Sequence, residues 1–388
     1  MPYNFDELTE RRGTGSMKWD VPEGELPMWV ADMDFETAPE IREALMKRAA
    51  HGIFGYTVVP DTWREAVTGW WERRHGFVME KDWLVFTTGV VPAISSGIRK
   101  LTTVGENVLV QTPVYNIFFN SIRNNGRNII ENRLLYDGAG YRIDWEDLEK
   151  KLSDPQTTLM ILCNPHNPTG MIWTREELGR IGELCAANHV KIMSDEIHCD
   201  LMRCNQKHIP LGKVMPDYQR LVTCMAPSKT FNLAGMMISN VIIRDEGLRS
   251  VWLDKHYNFD NPLSIAAAQS AYEKGQPWLE ELRVYLDENF RFTQEYLAEH
   301  LPKAKFRISE ATYLAWVDLN EYFEPDENLP LFFAYKAGVL LEGGNMFVQH
   351  SDGFIRLNLA CPKATLAEGL RRICEAVNTK HTEKYLGE

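Results

Sequence analysis

The chain has 388 residues, 44% apolar and 25% charged, which suits a globular protein with a large core and excludes a disordered one. A formal net charge of −12 argues against a nucleic-acid partner, because phosphate backbones select basic faces; a small anionic substrate needs only local positive charge and stays open. No run approaches the roughly 20 apolar residues of a membrane span, Met1–Arg12 lacks the apolar stretch of a secretory signal, and seven cysteines at irregular spacings fit reduced thiols, so the expected location is cytoplasmic.

The opening stretch to about Glu36 is rich in Gly, Pro and Trp, shows little periodicity, and reads as an arm lying on other structure. From about Ile41 helical and strand-like patterns alternate. Leu84–Thr87 is a short apolar run ending in Thr88-Gly89, and a helical pattern follows from Pro92 to Leu101. Asn107–Gln111 is strand-like, with a helix expected to start near Tyr115. Leu159–Cys163 reads as a buried strand ending in Asn164-Pro165. Thr174 and Glu177 have the spacing of a capping box and open a helix to about Asn188. Val190–Met193 runs into Ser194-Asp195, Leu221–Met225 runs into Pro227-Ser228-Lys229, and Val241–Ile243 follows. Short apolar runs separated by helices predict a mainly parallel sheet covered on both faces. In such sheets ligands bind at the carboxyl ends of the strands.

After about Ser264 the pattern changes. A long helix is expected over Pro277–His300, then a strand at Tyr313–Asp318, a helix near Leu331–Ala337, a strand at Phe354–Leu359 and a last helix at Ala364–Val377. The chain therefore reads as an α/β protein in three stretches. Residues 1–40 are an arm with part of a small domain, 41–280 a large domain, and 281–388 a small C-terminal α/β domain.

The unusual polar residues cluster just after strand runs: Gly89, Asn167, Asp195 and Lys229. Lys229, in Ala-Pro-Ser-Lys-Thr-Phe-Asn, must reach water or find a partner; desolvated or held near positive charge, it would be neutral enough to form an imine. Taken alone, Ser-Lys-Thr also fits a surface lysine at a strand end. Asp195 could hold the proton of a cationic pyridine ring, as pyridoxal phosphate (PLP) requires of an acidic partner, or could be a helix N-cap. The stretch Asn164-Pro-His-Asn-Pro-Thr-Gly170 is the most specific one. Two Asn-Pro pairs force a non-helical turn that can aim the Asn167 amide at a phenolate oxygen. Thr88-Gly-Val-Val91 opens a helix whose free N–H groups suit a phosphate. His198, Cys199, Cys204 and His208 lie close in sequence but lack a paired metal-ligand spacing, so no metal site is expected.

The set Asn167, Asp195, Lys229 and Arg356, in that order, resembles the fold-type I PLP enzymes of the class I/II aminotransferase group, over nearly the whole chain. The stretches Pro27-Met-Trp-Val-Ala-Asp-Met-Asp-Phe35, Gly55-Tyr56-Thr57, Thr88-Gly-Val-Val91, Asp195-Glu-Ile-His198 and Ile355-Arg-Leu-Asn-Leu-Ala-Cys-Pro362 resemble the MalY/PatB branch of cystathionine β-lyases and cysteine C–S lyases. The resemblance implies that Lys229 carries PLP as a Schiff base and that Asp195 holds the ring nitrogen. It gives Asn167 the phenolate oxygen and stacks Tyr115 on the ring. Val90, Val91 and Ser228 serve the phosphate, and Tyr56 reaches the phosphate of a neighbouring subunit, which implies a homodimer. Arg356 clamps the substrate α-carboxylate. Two positions depart from class I aminotransferases: Met237 stands where many carry a phosphate-binding arginine, and His198 where they carry a tyrosine against the phenolate oxygen. Both fit the MalY/PatB branch better. The activity implied is α,β-elimination from L-cystathionine or a related sulfur amino acid. An aminotransferase shares the first steps, and a PLP-bearing regulator is a third reading. Trp29 and Tyr313 are aromatic candidates for the substrate pocket, or core residues.

Overall fold

The computed structural model describes residues 3–254, 260–348 and 351–386. Seven strands form the main sheet, in the spatial order Leu84–Thr87, Ser239–Ile242, Leu221–Met225, Lys191–Asp195, Thr157–Cys163, Asn107–Thr112, Asn128–Arg133. Six of them run in one direction, and Ser239–Ile242 is antiparallel to both its neighbours. Side chains along a strand alternate between the two faces, and the sequence supplies apolar residues to both. Leu159, Ile161 and Cys163 join Val108, Val110 and Val222 in one core, while Met160 and Leu162 join Leu109, Ile192 and Leu221 in another. Helices cover both sides, so the expected mainly parallel, doubly covered sheet is present.

Local signals account for the helix positions. Thr174 caps Arg175–Ala187 with the reciprocal box read from sequence: its Oγ1 accepts from the Glu177 N–H at 3.1 Å, and its own N–H donates to Glu177 Oε2 at 2.9 Å. Val90–Leu101 starts two residues before the expected Pro92. A proline in the first turn costs nothing there, since that turn's N–H groups have no helical partner. Gly97 of this helix packs so tightly on Met193 that a side chain would collide with its terminal methyl. A larger residue there would need the Met193 side chain to move, on the strand that ends in Asp195. The strand Asn128–Arg133 was not legible: as an edge strand it is polar and partly exposed, without the apolar run of its neighbours.

A second sheet of three strands, Leu314–Asp318, Phe354–Asn358 and Glu342–Gly343, is antiparallel throughout. Leu26–Pro27 of the arm pairs with Val339–Leu340. The long helix Gln276–His300 serves two cores: Trp278, Leu279 and Leu282 pack in the large one, Phe290 and Leu297 in the C-terminal one. The boundary expected near residue 280 falls inside this helix. The arm itself is tied down by charge. Arg11 and Lys18 both pair with Asp32 and Asp34, and Asn232 holds the backbone of Met33 and Phe35 through three hydrogen bonds of 2.9–3.0 Å.

Candidate active site

The strand ends, the loop after Cys163 and the arm meet in one cleft. Lys229 follows the Leu221–Met225 strand in a single helical turn, Pro227–Thr230. Its Nζ donates to the Ala31 carbonyl at 2.7 Å, and the Tyr313 hydroxyl donates to the same oxygen at 2.8 Å. Burial, with Arg356 adding to it, lowers the Lys229 amine from 10.5 to about 8, against the pull of Asp32, Glu342 and Asp195. Asp195 closes the neighbouring strand. Burial pushes its carboxyl from 3.8 up to about 7, against the Ile197 N–H that donates to Oδ1 at 3.1 Å and the nearby Lys229 charge. Neither the N–H nor the Lys229 charge offsets that burial.

The Asn164–Gly170 loop is held by its own backbone: Gly170 N–H donates to His166 O at 2.7 Å and His166 N–H to Met171 O at 2.8 Å. His166 is buried and makes a 2.8 Å bond to the Pro113 carbonyl, and Trp173 Nε1 donates to Cys163 O at 2.9 Å. Asn167 Oδ1 accepts from Arg356 Nη1 at 3.2 Å. That bond commits the oxygen end of the amide and leaves the NH₂ end as the one that can donate to an oxyanion.

Arg356 lies on the middle strand of the small sheet and is 2% exposed. Its Nη2 donates to the Trp29 carbonyl at 3.1 Å, and the guanidinium carbon lies over the Phe347 ring, 4.8 Å from its centroid. Half-buried Tyr115 follows the Asn107–Thr112 strand. Burial and Glu342 raise its hydroxyl pKa, with Arg356 opposing. His198 is buried with Nδ1 unpartnered among the described residues. Burial, reinforced by Lys229 and Arg356, holds its imidazole down at about 3, so it is neutral at any working pH. Val90 and Val91 form the first turn of a helix with no side-chain cap and no acidic residue in that turn, which leaves backbone donors for an anion. Ser228, next to Lys229, is partly exposed. Tyr56 stands apart, 97% exposed between the helices Pro39–Ala50 and Asp61–His75, and Met237 is 57% exposed.

Two features escaped sequence reading. Glu342 faces Arg356, but a lone acid in Leu-Glu-Gly-Gly carries no signal until strand pairing is known. The Trp29 and Ala31 carbonyls belong to the backbone, which no motif reports. Tyr313 is buried in the large core with its hydroxyl on the Ala31 carbonyl, and Trp29 is partly buried with Nε1 at 3.4 Å from Lys18 O. Of the cysteine–histidine group, Cys204 is exposed and its N–H donates to Asp287 at 3.0 Å, whereas His208 meets Glu196 at 2.7 Å. His75, Cys199 and Asp200 come within ligand distance of one another. Asp200 is already saturated there, by Trp70, Arg74, His75 and Thr230.

The geometry thus offers an amine poised near neutrality, a carboxylate whose burial is not offset, an amide NH₂, a helix N-terminus and a buried arginine. The donor set fits an aromatic cofactor with a basic ring nitrogen, a phenolate and a phosphate. Comparison with known proteins agrees. The sequence pattern of the family "Aminotransferase class I and II" matches residues 26–373. Cystathionine beta-lyase PatB of Bacillus subtilis (strain 168) is 45% identical over 387 residues, covering 97% of this chain and 100% of the relative. Protein MalY of Escherichia coli (strain K12) is 32% identical, with 97% and 99% covered. Among solved structures, the PLP-bound C–S lyase of Staphylococcus hominis superposes with a TM-score of 0.93 at 40% identity, covering 97% of this chain and 98% of that one. Cystalysin from Treponema denticola, which contains PLP, gives 0.94 at 33% identity, covering 98% and 100%. The chain belongs to the class I and II aminotransferase family, in the branch that holds PatB and MalY.

Proposed function

We propose that the protein is a PLP-dependent carbon–sulfur lyase that cleaves L-cystathionine, or a related cysteine S-conjugate, by α,β-elimination to homocysteine, pyruvate and ammonia, with one water consumed. One observation carries this reading: a lysine amine held near neutrality lies between a buried carboxylate, Asp195, and a buried arginine, Arg356. The relatives named cystathionine beta-lyase and the PLP-bound C–S lyase neighbour support it.

Lys229, Asp195, Asn167, Val90, Val91 and Ser228 would hold PLP, with Tyr115 against the ring and His198 a neutral neighbour. When bound, PLP supplies an aldehyde that captures the substrate amine and a ring that takes up the electron pair left at the α-carbon. Arg356 would fix the α-carboxylate through its planar fork. That sets the α-hydrogen toward Lys229, whose Nζ removes it as general base. A pKa of about 8 suits the task, since a base works best when its pKa lies near the working pH. Asp195 would stay anionic opposite a ring cation, which supplies the positive charge its burial lacks. The Ala31 carbonyl, which both Lys229 and Tyr313 now reach, would hold the amine on the substrate side. The thiolate leaves the β-carbon as the second bond breaks.

We further assign the protein to the cytoplasm, on its seven free cysteines, and to a homodimer in which Tyr56 reaches the partner's phosphate. The loop that carries Tyr56 also exposes Ile53, Phe54 and Val58, apolar surface that a second copy would cover. The test is direct. The purified holoprotein is incubated with L-cystathionine, and pyruvate and free thiol are followed together; equal release is expected. Turnover that needs a keto acid and frees no thiol would replace the lyase with an aminotransferase.

A further inference from the structure

The small sheet places Trp316, Arg356 and Glu342 abreast, directly opposite one another on adjacent strands, so their side chains share one face. Glu342 forms an ion pair with Arg356 through Oε2 and Nη2, and the side chains are only 11% and 2% exposed. The pairing is incomplete. Arg356 Nε is buried with no hydrogen-bond partner among the described residues. Nη1 also donates to Asn167 Oδ1, and Nη2 to the Trp29 carbonyl.

An arginine in this setting cannot hold two carboxylates at once without cost. Two like charges held side by side in a buried site repel. A buried guanidinium left without any anion is also costly. The resting enzyme therefore needs a counter-ion on Arg356, and an arriving α-carboxylate needs that counter-ion gone. Glu342 belongs to a two-residue strand, Glu342–Gly343, and the two glycines that follow it lie so close to Pro330 and Ser351 that a Cβ at either would collide, so the backbone is held and a move off Arg356 falls to the Glu342 side chain.

We infer that Glu342 is an internal stand-in for the substrate carboxylate: it occupies Arg356 in the resting enzyme and is displaced when an amino acid binds, which weakens the affinity for every α-carboxylate, product pyruvate included. The inference rests on the reading of Arg356 as the carboxylate clamp. Glu342 is a positioning residue in this account, not a base. The opposing account makes Glu342 a brace that orients Arg356 for substrate, and the two predict opposite changes in affinity.

The experiment uses the holoenzyme and 2-aminoisobutyrate, an amino acid with neither an α-hydrogen nor a β-leaving group, so that binding is read by calorimetry without turnover. If Glu342 leaves Arg356 available in only about a tenth of molecules, apparent affinity is lowered by that fraction, and Glu342→Gln tightens binding about ten-fold. Glu342→Ala tightens it as well. The methyl ester of the probe, which lacks the carboxylate, gains nothing in either variant, and KM for cystathionine falls in step with the probe. Thermal midpoint and circular dichroism establish that each variant is folded. Equal or weaker binding of the acid in both variants, or an equal gain by the ester, overturns the inference and leaves the clamp standing. Absence of binding by the wild type and both variants removes the clamp itself, and the inference with it.

Discussion

Two buried aspartates five positions apart separate the cleft from the core behind it. Asp195 and Asp200 are 7% and 2% exposed, so solvent does not distinguish them. Behind the strand ends, Asp200 accepts from Trp70, His75 and Thr230 at 3.1 Å and pairs with Arg74 at 2.9 Å. Burial alone would raise its pKa, yet the donors of His75 and Arg74 outweigh it and hold the carboxyl down at about 2. Glu196 is served in the same way by Ser194, His208 and the Leu211 N–H. In front, the Ile197 N–H and the Lys229 charge do not outweigh burial, and Asp195 rises to about 7. A buried carboxylate with its valences met is structure, and one without them is a place for a ligand. The same contrast sets His75, held by Asp200, against His198, whose Nδ1 has no partner among the described residues.

Substitutions on the two sides should therefore fail in different ways. The largest effect is expected in front. Lys229→Ala should lower pyruvate release from cystathionine by about 10³-fold or more, since a positioned acid–base group contributes about 10²- to 10⁴-fold, while the thermal midpoint of the cofactor-free protein holds. Borohydride should fix a pyridoxyl group on Lys229 in the wild type, and mass spectrometry that found it on another residue would remove the comparison's front side. Behind, Asp200→Asn should cost about 3–5 kcal/mol in urea unfolding, because Arg74 and His75 lose their buried partner; a loss under about 1 kcal/mol would show that Asp200 is not the keystone its donors suggest.

Asp195→Asn brings the two behaviours together, and pH gives the sign. An acid whose folded pKa lies above its unfolded one binds more protons folded than unfolded, so stability falls as pH rises between the two values. For Asp195 that window runs from 3.8 to about 7. The asparagine variant of the cofactor-free protein should match the wild type near pH 4 and exceed it by a few kcal/mol above about pH 7, while catalysis drops. Equal stability at both ends would mean that Asp195 already has a counter-charge.

The large sheet was legible because its strands are buried on both faces and read as apolar runs, and the residues at its edge follow those runs at once: Asn167 after Cys163, Asp195 after Ser194, Lys229 after Met225. On the small-sheet side of the cleft, Arg356 and the strands at Leu314–Asp318 and Phe354–Asn358 were legible. The two-residue strand that carries Glu342 was not, because its pairing depends on distant chain and leaves no local pattern. The arm was read as irregular, and rightly so, but its backbone carbonyls accept hydrogen bonds from Lys229 and Arg356, and the ion pairs that hold the arm in place are encoded by no periodicity.

A smaller effect tests that side. Arg356→Lys keeps the charge and loses the fork; with charge-assisted bonds contributing about 1.5–3 kcal/mol, KM for cystathionine should rise about 10- to 100-fold while kcat changes less. A fall in kcat with KM unmoved would place Arg356 in the chemical step instead.

The smallest effect is expected at Tyr56, where the comparison meets its limit. A residue 97% exposed resembles neither aspartate when one chain is considered alone. If a second copy covers the loop and its phosphate receives the Tyr56 hydroxyl, then Tyr56 belongs to the front, its ligand simply bound to another chain. Tyr56→Phe removes one hydrogen bond of about 1 kcal/mol, so PLP should dissociate about five-fold faster in dialysis. Dilution of the wild type below its dimer dissociation constant should produce the same loss, and the variant should respond less to dilution than the wild type does. Retention that ignores both the hydroxyl and the protein concentration would leave Tyr56 an ordinary surface residue and confine the cleft to a single chain.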